Sequence, residues 1–565
     1  MNNKKLLAFI VALSMLLLSL VGCNKKDDST KNESQVDSKT EVKEEVKEEK
    51  KGEKEDKDKK TEVADVKEEP KEDGPVDGGT FVVSMSREPG GYNPCATADD
   101  SAYQVIQNVF NKLLKINGNN EIIPDIAESY EYKDDGKTLI FHLHKNVKWH
   151  DGVDFSAEDV KWTFDKILSD NGFASNSLSG VDSVNVIDKD TVEFKLKEAD
   201  SGLLGYIAWV GTYIMPKHIY DGTDWLTNPA NQAPIGTGPF KFVEHKAGES
   251  VTLEKNTDYF KEPAHVDKVI FRIIPDATTQ YQAWLADETD HNMSGAPADE
   301  LERLAADPNF TLVPKTWPNK SYICFNMESG KFTDPLLREA VLYGIDREEI
   351  FKKVYKEQGS ISEYFNPPQY KWALNESVKS PEKNIEKAME LIEQAGYTKD
   401  ADGYYFETSI DTFPGWDDFV VVLTEQFKNI GIKLNHNSMD DPSYDEKVLA
   451  KKDFELTVLG GYQGPDIAAM GSRFQTGGPM NYGIYSSEEM DKELALGRAA
   501  TSVEERAKHY KRIQEILRED LPVVFFWDRG SMYPIKSYVK GMPAAEGAEL
   551  MSESEFTMVW LENKK

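Results

Sequence analysis

Residues Asn24 to Val76 carry almost nothing from which a hydrophobic core can form. The segment holds 14 lysines and 19 acidic residues, no aromatic residue and only scattered valines. Such a composition buries too little apolar surface to offset the entropy of ordering the chain. The sequence therefore predicts a disordered, extended tether and confines the folded body to Asp77–Lys565.

The residues before the tether have the pattern of an export signal. Lys4 and Lys5 precede an apolar run, Leu6–Leu20, which is too short to span a bilayer comfortably. The end of this run, Leu20-Val21-Gly22-Cys23, resembles a bacterial lipobox.

The lipobox resemblance implies that residues 1–22 are a signal peptide and that residues 23–76 are the lipidated cysteine and its tether. Cys23 would then carry diacylglycerol and anchor the protein to the outer face of the cell membrane, since two acyl chains hold far better than one. The alternative is an ordinary signal peptide with an incidental cysteine.

Charge and cysteine content limit the partners of the body. The chain has a net charge of −32, which disfavours binding to nucleic acid or anionic lipid. Cys95 and Cys324 can pair outside the cytoplasm, or both can be free buried thiols. No CxxC spacing is present, so we expect no metal or other cofactor.

Hydrophobic periodicity in the body alternates between strand and helix, which predicts an α/β protein with mixed connectivity. Thr138–Leu143 reads as a strand, and residues 181–199 read as a hairpin that turns at Asp188-Lys189-Asp190. Helix boundaries are marked by capping residues. These are Ser156 with Asp159, Asp334-Pro335, Gly396, Gly431 and Ser502 with Glu505.

Motifs that would indicate catalysis or phosphate binding are weak or missing. Gly236-Thr237-Gly238 lacks a third glycine and precedes a strand-like stretch, so a turn that relies on glycine dihedrals is the better interpretation. His142 and His144 alternate on one strand face, which favours a solvent-facing edge over a metal site. No G-x-S-x-G or H-E-x-x-H motif occurs, so we predict no enzyme activity.

Several long blocks of the body carry a resemblance to a known family. IPDIAESYEYKDDGKTLIFHLHKNVKWHDGVDFSAEDV, PIGTGPFKFVEHKAGESVTLEKNTDYF and SYICFNMESGKFTDPLLREAVLYGIDREEI occur in that order. They resemble family 5 extracellular solute-binding proteins, the oligopeptide, dipeptide and nickel receptors of ATP-driven importers. KNIEKAMELIEQAGY and the C-terminal stretch continue the match.

The resemblance implies a bilobal, periplasmic-binding-protein-like α/β fold of type II, a Venus flytrap, with an extra subdomain in the larger lobe. By analogy residues 77–320 form lobe I, 321–528 form lobe II, and 529–565 return to lobe I. Closure of the lobes would bury a ligand between them.

The implied function is a monomeric receptor that captures oligopeptides and delivers them to an ABC permease driven by separate ATPase subunits. An oligosaccharide, a metal chelate or haem remains open as the ligand of the same fold. A receptor for signal peptides and an extracytoplasmic hydrolase remain open as other classes.

The resemblance also points to ligand-binding residues. In peptide-binding relatives a W-x-A-D-Y-x-D-P tract pairs a carboxylate with the ligand's α-amino group. Here the tract is LTVLGGYQGPDIAAMGSRF, and its A-D-Y element is missing. Asp466 is the nearby acid for that role, or alternatively caps a helix that begins at Ile467. Arg473 would receive a ligand carboxylate, or alternatively form a surface ion pair.

Three aromatic residues are further candidates for ligand contacts. Tyr92 follows the first predicted strand, Trp416 lies between a strand and a helix, and Tyr462 lies in the glycine-rich tract predicted as a loop after Phe454–Leu459. Their rings can cover peptide side chains or stack on a sugar. The alternative for each is a place in the core.

Overall fold

Two long antiparallel strands, Phe310–Phe325 and Val523–Lys536, run side by side through the molecule. We call them the crossing strands. The computed structural model describes residues 74–97, 99–117, 121–542 and 555–562. The predicted signal peptide, Cys23 and almost all of the tether lie outside these residues. In the described part of the chain, no helix has the length and apolar character needed to cross a membrane.

The crossing strands are the centre of a six-stranded mixed sheet, here named the second sheet. The three other long strands of this sheet pair parallel with one another, and helices pack against it. The strand order is Ser360–Ile361, Val523–Lys536, Phe310–Phe325, Leu456–Tyr462, Phe406–Thr412 and Ile432–Ser438.

Two more sheets lie earlier in the chain. The first sheet has five strands, in the order His291–Asn292, Thr80–Met85, Lys268–Ile273, Ser250–Lys255 and Phe240–Lys246. The small sheet is antiparallel, in the order Ala127–Lys133, Thr138–Leu143, Thr191–Leu196 and Val181–Asp188. Two-stranded pairs join Leu114–Ile116 to Ile122–Pro124 and Val539–Lys540 to Trp560–Leu561.

Helices connect and cover these sheets. The α-helices are Asp100–Val109, Ala157–Ser169, Leu203–Ala208, Lys217–Tyr220, Ala277–Leu285, Leu301–Ala305, Pro335–Gly344, Arg347–Lys353, Ile385–Gln394, Asp417–Asn429, Asp441–Tyr444, Gly471–Phe474, Glu488–Ala499 and Val503–Asp520. Shorter helical turns are Asp134–Gly136, Pro229–Gln232, Ala298–Glu300, Lys331–Thr333, Lys371–Ala373, Asp445–Ala450 and Ile467–Met470.

The buried apolar side chains form separate cores. One core holds residues between 322 and 526 and lies around the second sheet. Another surrounds the first sheet and combines residues from both ends of the body, including Phe81, Tyr533 and Phe556. A third lies around the small sheet. The sequence-distant parts of the body are therefore held together by apolar burial as well as by strand pairing.

Local signals in the sequence are confirmed where a cap or an alternating pattern is complete. Ser156 accepts a hydrogen bond from Glu158 N while Asp159 accepts one from Ser156 N, which closes the capping box before Ala157–Ser169. The predicted strand and hairpin are also present. Gly396 and Gly431 have φ of 91° and 78° just after helices, which favours glycine over residues with a Cβ.

Two local expectations are corrected. The strand predicted over Phe454–Leu459 extends over Leu456–Tyr462, so Tyr462 ends a strand rather than lying in a loop. Gly236 and Gly238 are absent from the positive-φ glycines, so their dihedrals do not explain them. Instead, a Cβ on Gly236 would lie 1.8 Å from Val109 O, which shows that close approach of a neighbouring backbone requires glycine.

The two cysteines of the body do not pair. Cys95 and Cys324 are free thiols, and both are buried. Burial raises the pKa of Cys95, and it raises the pKa of Cys324 to about 12. The free-thiol alternative is therefore the one that the structure supports.

Candidate ligand-binding site

The regular pairing of the crossing strands is interrupted near their middle. Thr316 pairs with Gly530 and Lys320 pairs with Asp528, so residues 317–319 face Arg529 alone. The neighbouring strand ends at the same level, with Tyr462 opposite Asn319. Irregularities of this kind bend strands and occur next to functional sites. We call this place, residues 317–319, 460–462 and 528–530, the strand junction.

A buried ion pair lies on one side of the strand junction. Lys320 Nζ is 2.6 Å from Asp528 Oδ1, and both side chains are almost completely buried. Ser362 Oγ accepts from Lys320 Nζ and donates to Asp528 Oδ1 at 3.0 Å. The two charges therefore cancel each other inside the protein.

Tyr462 forms a contact between the second sheet and the helical region near the small sheet. Its ring stacks on Trp209, with ring centroids 5.7 Å apart and an angle of 25° between the planes. Both side chains are partly buried. Trp209 follows the helix Leu203–Ala208 and also lines a cavity with Gln107, Lys112 and Tyr213. The stack thus places aromatic rings from distant parts of the chain at one surface.

Arg473 lies behind Tyr462 and is 7% exposed. Its Nη2 donates to Tyr462 O at 2.7 Å, and its Nε is buried with no hydrogen-bond partner in the described part of the chain. Among residues 74–97, 99–117, 121–542 and 555–562, no carboxylate forms an ion pair with Arg473. The surface ion pair that was its alternative role is therefore not formed. A buried guanidinium group without a counter-ion is energetically costly.

Asp466 is already engaged within the protein. Its Oδ1 accepts from Ala468 N at 2.8 Å, which caps the short helix Ile467–Met470. The same oxygen is 2.5 Å from Arg506 Nη2, and Asp466 and Arg506 are 4% and 7% exposed. Arg506 also lies over the ring of Trp372, 4.9 Å from its centroid. The capping role is therefore present, and its role toward a ligand amine stays a prediction.

Close packing joins the Asp466 loop to the helix Leu203–Ala208. A Cβ on Gly205 would lie 2.7 Å from Asp466 Cβ and 3.0 Å from Pro465 O. Nearby, Ser201 N donates to Arg498 O at 2.8 Å, and Asp200 pairs with Arg498 at 3.3 Å. Glycine at position 205 is thus what allows these segments to touch.

The other two predicted contact residues lie elsewhere. Tyr92 is fully buried in the first-sheet core, and its hydroxyl group hydrogen-bonds His245 Nδ1 at 3.0 Å. Trp416 precedes the helix Asp417–Asn429, is partly buried and packs edge-on against Phe526. The structure therefore brings Tyr462, Asp466 and Arg473 together but not Tyr92. The ligand roles of Tyr92 and Trp416 stay predictions.

Sequence reasoning missed several residues of this region. Trp209, Arg506 and Arg529 reach it from segments far from the glycine-rich tract. None of them belongs to a local motif, because their proximity depends on how the sheets assemble. The sequence did contain one signal for this region, because Arg473 is the one arginine of the glycine-rich tract.

The α/β body has three main sheets, and the two crossing strands contribute residues to two separate cores. This is the architecture of a bilobal solute-binding protein. Residues 121–481 match the model of bacterial extracellular solute-binding proteins, family 5. The chain belongs to this family, which confirms the resemblance and the bilobal fold. The family is one of extracellular solute-binding proteins.

Known proteins similar to this chain cover most of its length. It is 28% identical to heme-binding protein A of Haemophilus influenzae, over 82% of this chain and 89% of that protein. It is 29% identical to the oligopeptide-binding protein AppA of Bacillus subtilis, over 80% and 87% respectively. The crystal structure of the ABC transporter substrate-binding protein CtaP from Listeria monocytogenes superposes with a TM-score of 0.74 at 25% identity, over 86% of this chain and 99% of that one.

Proposed function

We propose that this protein is the extracytoplasmic receptor of an ABC importer and captures oligopeptides between its lobes. The family membership and the similarity to an oligopeptide-binding protein support the peptide class. The observation that carries the proposal is Arg473, a buried cation with no counter-ion, placed beside the Tyr462–Trp209 stack. A peptide supplies a carboxylate for the guanidinium and side chains for the rings.

The proposed lobes follow the cores and the crossing strands. Residues 77–320 with 529–565 would form lobe I, and 321–528 would form lobe II. The core around the second sheet takes its residues from 322–526, and the first-sheet core takes residues from both ends of the body. Closure would rotate the lobes about the strand junction, and a ligand shifts that equilibrium only if it binds the closed state more tightly.

Native mass spectrometry of the purified protein tests the proposed peptide function. We expect a bound peptide to be retained and released intact on denaturation. Calorimetry with defined peptides then gives the affinity. Steady cleavage of a peptide by the purified protein would instead support the hydrolase alternative.

Membrane anchoring through Cys23 is the second part of the proposal. The lipobox-like Leu20–Cys23 and the charged tether support it. The monomeric receptor would then stay at the outer face of the membrane, within reach of its permease and the ATPase subunits behind it. A Cys23→Ala variant should appear in the medium, and the unaltered protein should carry diacylglycerol by mass spectrometry. Retention of the variant in the membrane fraction would refute the anchor.

Haem is a second candidate ligand because of the similarity to heme-binding protein A. The test is titration of the protein with hemin, followed by its absorbance. A saturable spectral shift at one equivalent that peptides suppress would favour haem. Lack of such a shift would leave the peptide proposal as the simpler one.

A further inference from the structure

Three acidic groups at the Asp466 loop and the strand junction are paired within the protein. Asp466 pairs with Arg506, Asp200 pairs with Arg498, and Asp528 pairs with Lys320. An ammonium group of a ligand would have to displace one of these cations. Breaking a buried pair such as Asp466–Arg506 or Asp528–Lys320 in this way leaves another charge unpaired, which is strongly unfavourable. The site therefore offers no ready partner for a ligand amine.

Two arginines near the strand junction, in contrast, have no carboxylate partner among the described residues. Arg473 is 7% exposed, makes no ion pair in the described part of the chain, and keeps an unpartnered Nε. Arg529 is half-buried on a crossing strand, and no hydrogen bond or ion pair of its side chain is found among the described residues. Burial lowers the pKa of Arg529, as expected for a cation without a counter-ion.

Strand pairing relates the positions of the two arginines through Tyr462. Arg529 faces residues 317–319, and Tyr462 pairs with Asn319 on the next strand. Adjacent strands lie about 4.8 Å apart, so the backbones of Arg529 and Tyr462 are about 10 Å apart. Arg473 donates to the carbonyl oxygen of that same Tyr462. An extended ligand of two or three residues spans a distance of this order, at about 3.3 Å per residue.

Neutral amides without partners lie on the helix Asp100–Val109, which lines the cavity beside Trp209. Gln107 lines the cavity beside Trp209, and its Nε2 is buried and unpartnered. Gln104, on the same helix, has an unpartnered Oε1. These amides can serve the peptide groups of a ligand, but they bring no charge. The unmatched charge at the site is therefore positive.

We propose that this protein selects an acidic solute, a peptide or peptide-like molecule whose carboxylates are received by Arg473 and Arg529 and whose amine is not recognised. This inference rests on the proposed peptide-receptor function and specifies its substrate class. The net charge of −32 repels such a ligand at long range. Screening limits that repulsion to about 8 Å at physiological salt, so the nearby arginines dominate at contact.

The test compares matched peptides by calorimetry with the full-length protein in detergent. The probes are trialanine, N-acetyl-trialanine, trialanine amide and N-acetyl-Ala-Glu-Ala. We expect N-acetylation to leave affinity unchanged or higher, amidation to weaken binding at least 10-fold, and the added glutamate to strengthen it. Arg473→Gln and Arg529→Gln should each weaken binding of the acidic peptide at least 10-fold, and Arg473→Lys should retain part of the preference.

A matched control and two outcomes keep the inference falsifiable. Arg272 is exposed and paired with Glu288, so Arg272→Gln should change nothing. Binding that requires a free amine and tolerates amidation would overturn the inference while the peptide-receptor function stands. If no peptide binds, the peptide function fails, and glutarate against glutaramide then decides the inference. Glutarate binding that Arg473→Gln abolishes supports it, and failure of glutarate to bind overturns it.

Discussion

Lys320 and Asp528 face each other on the crossing strands and form an ion pair with an Nζ–Oδ1 distance of 2.6 Å. Because both are buried, removal of one partner leaves an uncompensated charge. We expect Lys320→Met to lower the free energy of unfolding by about 3–5 kcal/mol in urea titrations.

The exposed pair Lys148–Asp154 provides the control for this prediction. Lys148→Met should change stability by less than about 1 kcal/mol, since exposed pairs contribute little. The double variant Lys320→Met with Asp528→Leu should recover part of the loss. Equal effects of the two single lysine variants would contradict the assignment of a buried, coupled pair.

Gly205 is the position where a larger side chain should open the molecule. A Cβ there would lie 2.7 Å from Asp466 Cβ, so Gly205→Val must push the helix Leu203–Ala208 away from the Asp466 loop. We expect a larger radius of gyration by X-ray scattering and ligand affinity lowered at least 10-fold, since closure is disfavoured.

Gly180 is the matched control, because its added Cβ would meet nothing within 4 Å and its φ is not in the left-handed region. Gly180→Val should leave both scattering and affinity unchanged. A normal scattering profile with Gly205→Val would show that the packed contact does not control the opening of the lobes.

His291 should make stability depend on pH. It is 2% exposed, and burial, aided by Lys315, lowers the pKa of its imidazole to about 3. Below pH 6.5 the unfolded chain binds a proton that the folded protein does not, so stability is lost as pH falls. From pH 7 to pH 5 the loss from this one group is about 2 kcal/mol.

Urea titrations at the two pH values check this prediction. His150, whose pKa burial lowers to about 4, acts in the same direction, so a single variant removes only part of the effect. The fall in stability between pH 7 and pH 5 should be about 2 kcal/mol smaller in His291→Gln than in the unaltered protein. An identical fall in both proteins would mean that His291 is protonated in the folded state.

Cys95 and Cys324 should be unreactive toward thiol reagents in the native protein. Both are buried and free, and burial keeps the thiols protonated by raising their pKa. We expect no labelling by a thiol reagent under native conditions and labelling of both after denaturation. A melting temperature that falls on adding a reductant would instead indicate a disulfide.

Sequence patterns best predicted the local features that depend on residues close together in the chain, such as helix caps. Ser156 and Asp159 define their capping box within three positions, and the helix starts there. Asp466 likewise caps the short helix that begins at Ile467, which confirms the capping alternative. These features depend on the backbone of one segment, which the sequence specifies directly.

Contacts between segments far apart in the chain could not be predicted from local sequence patterns. Tyr462 ends a strand because Asn319 pairs with it, and no pattern near Tyr462 reveals that partner. Arg506 lies forty residues after Asp466 and takes up its charge. Gly236 is required by the backbone of Val109, not by its own dihedral angles. In each case the sheet assembly brings together residues that the sequence leaves unrelated.

The first-sheet core has a consequence for how the chain matures. Phe556 packs against Phe81 and Phe271, so this core needs residues made at both ends of the body. In the described part of the chain, the fully buried residues of the core around the second sheet lie between 322 and 526. During synthesis that central core can form first, while Phe81 and its neighbours stay uncovered until the C-terminal residues have been made. Aggregation during synthesis should therefore begin at the first sheet.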